Sequence, residues 1–118
     1  MSSVVTTGWV TAAAVLLAGA ALPARADSHG QAVYEQWCAP CHGVGLGFYG
    51  ATELPGTAAL RAKYRGKLPP LLTERKDLSP ALVRTLVRGG ISVMPFFRKT
   101  EISDADLEAL TAFLTRKK

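Results

Sequence analysis

Sulfur and imidazole side chains are scarce in this chain of 118 residues, which has two cysteines, two histidines and two methionines. A structural zinc site needs four nitrogen or sulfur ligands. One of the two histidines, His29, sits in a polar stretch apart from the rest of the potential ligands. No run of β-branched residues precedes Cys38; the approach Ala32-Val33-Tyr34-Glu35-Gln36-Trp37 has a helical pattern. That excludes the strand–helix context in which a thioredoxin-like C-x-x-C works. No lysine or arginine occurs in Met1–Thr7, so the N-terminus carries only its α-amino charge. No internal repeat, sheet-forming pattern or nucleic-acid recognition motif is visible.

What is present is concentrated in one place. Cys38-Ala39-Pro40-Cys41-His42 is a C-x-x-C-H run, the attachment sequence of c-type haem. Thiols three positions apart can reach the two vinyl groups along one edge of a porphyrin. The histidine that follows can then rise under the iron as the proximal ligand. A disulfide across the same two residues would leave His42 without a purpose. Covalent haem c, one copy, is the expected cofactor, with Cys38, Cys41 and His42 as its first three contacts.

Residues 1–26 are expected to be a secretory signal, and residues 27–118 a single haem domain. Gly8 to Leu22 is apolar, and Ala24-Arg25-Ala26 is an A-x-A cleavage site. The apolar run is short for a membrane span, which needs about 20 residues, so no stable membrane insertion is expected after cleavage. The absent N-terminal charge means either that the export signal is weakly charged or that the true start lies elsewhere, and an uncleaved anchor is the alternative reading. A domain this small buries little apolar surface unaided, and a clamped haem would complete its core. Haem is attached outside the cytoplasm, so the expected location is the periplasm.

The expected fold is all-α, with several short helices and long loops wrapped around one haem. Asp27 or Ser28 is expected to cap a first helix through Gly30, Val33, Tyr34 and Trp37. The segment Gly43–Gly56 has five glycines and reads as loop. It contains a G-x-G-x-x-G run from Gly45 to Gly50, but a dinucleotide site needs a strand before it. Thr57 is expected to cap a short helix to Arg65, stopped by Gly66. Leu68-Pro69-Pro70-Leu71 must be extended. Ser79-Pro80 opens a helix with Leu82, Val83, Leu86 and Val87 on its apolar face and Gly89-Gly90 at its end. Ser103 to Asp106 resembles a capping box, with Ile102 and Leu107 as its hydrophobic staple. Leu107, Leu110, Phe113 and Leu114 then form one stripe, and Arg116-Lys117-Lys118 suits the negative end of the helix dipole.

A low-spin electron carrier needs a sixth iron ligand, usually Met or a second His. Once the signal is removed, Met94 is the remaining methionine, in a loop stiffened by Pro95. His29 lies on the helix that leads into the motif and cannot reach the opposite face. Without Met94 the iron would be five-coordinate, and the alternative function would apply: a haem enzyme or gas sensor with an open iron site.

With these residues in place the chain resembles the class I c-type cytochromes over nearly all of residues 28–116. The resemblance implies that Gly30 and Tyr34 of the first helix pack against Leu110 and Phe113 of the last. It also implies that a proline carbonyl, Pro55 or else Pro69, accepts the Nδ1–H of His42 and fixes its tautomer. A narrower likeness lies in Pro55-Gly56-Thr57-Ala58-Ala59-Leu60 and in Val93 through Thr100. These stretches are similar to the small cytochrome subunits that serve flavoprotein dehydrogenases, such as p-cresol methylhydroxylase and its alkylphenol and eugenol hydroxylase relatives. That likeness implies an electron carrier, not an enzyme in itself, with a flavoprotein dehydrogenase as donor and a downstream periplasmic or membrane redox protein as acceptor.

Charge bears on the partner. The formal net charge is +5, with Arg61, Lys63, Arg65 and Lys67 alternating along one stretch and Arg98-Lys99 after the methionine. Such a rim would steer the haem edge onto an acidic protein, with Phe96 and Phe97 as anchors. Nucleic acid is not an expected partner.

Overall fold

The computed structural model describes residues 22–116, with side chains from Asp27 onward; most of the expected signal segment, and Lys117 and Lys118, lie outside the described residues. Among the described residues five short α-helices follow one another: α1 (Leu22–Trp37), α2 (Ala39–His42), α3 (Pro55–Tyr64), α4 (Pro80–Gly89) and α5 (Asp104–Thr115). Among the described residues there is no strand, only one isolated bridge between Ile91 and Met94. No described helix is long and apolar enough to cross a membrane. The all-α expectation holds.

The core is the seam between the first and last helices, with α4 laid against α5. Val33 and Tyr34 come from α1, Val83 and Val87 from α4, and Leu107, Leu110, Phe113 and Leu114 from α5. Spacings of three and four residues place the α4 and α5 sets each on one face of its helix. The Tyr34 and Phe113 rings meet at 5.7 Å. At Gly30 the helices come closest: a Cβ there would lie 2.2 Å from the Ala109 carbonyl oxygen and 2.7 Å from Phe113 Cβ. The expected pairing of Gly30 and Tyr34 with the last helix is therefore present, with Ala109 as the nearest neighbour of Gly30.

Two of the expected side-chain caps, Ser79 and Ser103, are formed; those expected at Asp27 or Ser28 and at Thr57 are not. Ser79 caps α4, accepting from the Leu82 N–H at 3.2 Å. The Ser103–Asp106 capping box is complete, and Ile102 and Leu107 are both buried beneath it. By contrast, α1 begins at Leu22, upstream of Asp27 and Ser28, which are both helical. Pro23 is tolerated in a first turn, where its missing N–H is no loss, and the Asp27 carboxylate pairs with Arg116 at the end of α5. Likewise α3 starts at Pro55 and not after Thr57, because proline at the first position is already set for the helix. Its end agrees with expectation, through Arg65 and Gly66 at positive φ.

Candidate functional site

The site begins at a break in the first helix. Pro40 has no N–H to give to residue 36, and its ring crowds that carbonyl. The chain turns at Cys38 and resumes as the single turn α2, with the N–H groups of Cys41 (3.1 Å) and His42 (2.8 Å) both donating to the Cys38 carbonyl. One turn therefore presents both thiols and the imidazole. Cys38 is buried and Cys41 exposed, and both are free thiols. Burial, with the neighbouring Cys41 second, pushes the Cys38 thiol up to about 11.

His42 is held from two sides by its own backbone and that of its neighbour. The Tyr34 hydroxyl of α1 donates to the His42 carbonyl at 3.1 Å, and the Thr57 hydroxyl of α3 donates to the Gly43 carbonyl at 3.0 Å. Thr57 is thus a buried tie to the haem motif and not a helix cap. The ring lies against Gly56, where a Cβ would sit 2.6 Å from Cε1 and 2.7 Å from Nδ1. Nδ1 is buried and has no hydrogen-bond partner. The expected bond to the Pro55 or Pro69 carbonyl is not formed. As the first residue of α3, Pro55 contributes its carbonyl to the helix ladder, and Gly56 is the residue that reaches the ring. Burial lowers the His42 pKa, which favours the neutral imidazole, the form that ligates metals.

Met94 closes a tight turn. The Ile91 N–H donates to the Met94 carbonyl (3.1 Å), and the Met94 N–H to the Ile91 carbonyl (2.9 Å). Ser92 inside the turn has φ 54. Gly90 is required at its base: its φ is 67, and a Cβ would lie 2.8 Å from the Met94 carbonyl oxygen. Further on, Phe97 turns inward onto Trp37, ring centroids 5.8 Å apart and edge to face, while Phe96 is 61% exposed. The two aromatics after the methionine therefore divide between packing and surface. His29 pairs with Asp106 at 2.8 Å, away from the motif, as expected.

The basic rim differs from its sequence pattern. Arg61 is paired with Glu53, Arg98 with Glu101 at 3.4 Å and Lys99 with Asp104 at 2.7 Å. Among the described residues Lys63, Arg65, Lys67 and Lys76 enter no ion pair. The glycine-rich loop Gly45–Gly50 follows no strand and contains only a 3₁₀ turn at Phe48–Gly50, so it is not a dinucleotide site.

The family described as cytochrome c oxidase, cbb3-type, subunit III matches residues 25–114. The chain belongs to this family of c-type cytochromes. No curated protein and no solved structure matches it. A cytochrome c domain works by haem-based electron transfer and carries covalently bound haem c, one copy in a domain of this size. The residues present fit that group. Two free thiols and a neutral imidazole share one turn, and the buried Nδ1 and the side-chain-free Gly56 leave the ring a fixed seat. Sequence reasoning passed over Gly56, although a glycine directly after a helix-starting proline was a usable sign of close approach.

Proposed function

We propose that this cytochrome is a one-electron carrier of the periplasm, exported by its first 26 residues. Cys38 and Cys41 would hold the haem through thioether bonds, and His42 and Met94 would ligate its iron. The bound haem supplies the redox centre, cycling between ferrous and ferric iron. The chain's own part is to attach, orient and shield. Tyr34 and Thr57 fix the two carbonyls at the exit of the motif, Gly56 seats the imidazole, and the Ile91–Met94 turn presents the thioether.

The observation that carries this reading is the pairing of an attachment turn with a methionine locked in its own hydrogen-bonded turn. A sixth ligand of that kind suits electron transfer and disfavours the haem enzyme or sensor, which needs an open iron position. No residue is required as a general acid or base. The donor is a flavoprotein dehydrogenase or hydroxylase, supported by the likeness of Pro55–Leu60 and Val93–Thr100 to cytochrome subunits such as that of p-cresol methylhydroxylase. The acceptor is a downstream periplasmic or membrane redox protein.

Met94→Ala tests the ligand assignment. The variant should mature as a folded haem protein, lose the sulfur-to-iron charge-transfer band, bind cyanide faster and show a lower potential, because the thioether favours ferrous iron. An unchanged spectrum would remove Met94 from the site.

A further inference from the structure

One side chain of α4 closes the segment that carries Met94. Arg88 stands in the last turn of the helix and is half-buried. Its Nη1 donates to the carbonyls of Phe97 (3.1 Å) and Ile102 (2.8 Å), and its Nη2 donates to Asp104 Oδ1 (2.9 Å). The Phe97 N–H in turn donates to the Val87 carbonyl at 2.8 Å. Both backbone polar groups of Phe97 are thus held by consecutive residues of α4. The Phe97 ring rests on Trp37, the residue directly before Cys38. On the other side Met94 is tied to Ile91. Only Pro95 and Phe96 separate the two anchored points, and proline fixes one φ between them.

A basic residue in a last turn, paired with a carboxylate, would by itself signify only helix stability. Arg88 does more, because two of its three acceptors are carbonyls of the methionine segment. Arg84 provides the contrast. It lies one turn earlier on the same helix and pairs with Glu108 of α5 at 2.7 and 2.6 Å. It has no hydrogen bond to the segment.

We infer that Arg88 is the positioning residue for the Met94 thioether: its guanidinium holds the 90–103 segment in the conformation that presents the sulfur to the iron. The inference rests on Met94 being an axial ligand. A planar guanidinium can fork across three acceptors, whereas an ammonium is a point charge, so lysine should restore the function only in part.

The test compares the ferric holoprotein with Arg88→Gln, Arg88→Lys, Arg84→Gln and Met94→Ala by charge-transfer band, cyanide binding rate and melting temperature. Arg88→Gln should weaken the band and speed cyanide binding about tenfold, equivalent to about 1.4 kcal/mol. Arg88→Lys should fall between it and the parent. Arg84→Gln should lower the melting temperature slightly and leave band and cyanide rate at parental values. A merely structural Arg88 would behave like Arg84, so parental band and cyanide rate in both Arg88 variants, with the band lost in Met94→Ala, overturn the inference. A band retained in Met94→Ala overturns the ligand assignment itself and the inference with it. If Arg88→Gln does not mature, Arg88→Lys decides by the same two readouts.

Discussion

A methyl group on residue 56 would lie 2.6 Å from His42 Cε1 and 2.8 Å from the Cys41 carbonyl oxygen. Neither neighbour is the free end of a flexible chain, because the ring is seated and the carbonyl belongs to the attachment turn. Gly56→Ala must therefore displace the imidazole or pry α3 from α2. Forced overpacking of this kind costs about 1–3 kcal/mol. The variant should keep its haem, since Cys38 and Cys41 are untouched, but melt several degrees lower and show a perturbed haem spectrum. A parental melting curve and spectrum would mean that Gly56 does not seat the ring. At this scale the attachment residues were legible because C-x-x-C-H is a local pattern with one dominant chemistry. Gly56 and Arg88 were not legible, because their roles are contacts between segments far apart in sequence.

Elements were legible where a capping side chain forms its bond to the helix backbone. Ser79 and the Ser103–Asp106 box are such caps, and α4 and α5 start where expected. Of the two misplaced starts, the one at Pro55 relies on proline geometry, since the residue before it, Leu54, offers no side-chain bond. Glycines give the matching test of packing between elements. Ala is favoured over Gly inside a helix by about 1 kcal/mol. At Gly30 that gain competes with a Cβ 2.2 Å from a backbone oxygen of α5, which cannot be met by a rotamer change, so the clash wins. At Gly89 a Cβ would meet nothing within 4 Å, so the gain stands alone. Gly30→Ala should lower the melting temperature of the holoprotein, and Gly89→Ala should raise it by several degrees, at about 4–8 °C per kcal/mol for a domain of this size. Equal shifts of the same sign at both positions would show that the α1–α5 approach is not close in solution.

For the whole molecule, the net charge of +5 is less informative than its distribution. Beside the methionine turn, the Arg98 backbone N–H and then its guanidinium hold the Glu101 carboxyl below its ordinary range, and Lys99 and then Arg88 do the same for Asp104. Arg88 shares Asp104, so these three cations and two carboxylates leave one net positive charge, against three on Lys63, Arg65 and Lys67. The cations of Lys63, Arg65 and Lys67 lie at and just beyond the end of α3, the helix that seats His42, and no carboxylate among the described residues pairs with them. Long-range attraction depends on uncompensated charge and fades over about 8–10 Å at moderate salt. If the proposed flavoprotein donor approaches with an acidic surface, the α3 end should steer it and the methionine-side pair should contribute little. Lys63→Glu with Lys67→Glu should therefore slow reduction by the flavoprotein at low salt about tenfold or more and flatten the salt dependence of the rate. Arg98→Glu with Lys99→Glu should change that slope less, and both double variants should retain the parental potential. Stopped-flow reduction by the proposed flavoprotein donor, across a range of ionic strength, separates the two. A steeper loss in the Arg98–Lys99 variant would place the approach on the methionine side, where Phe96 stands exposed.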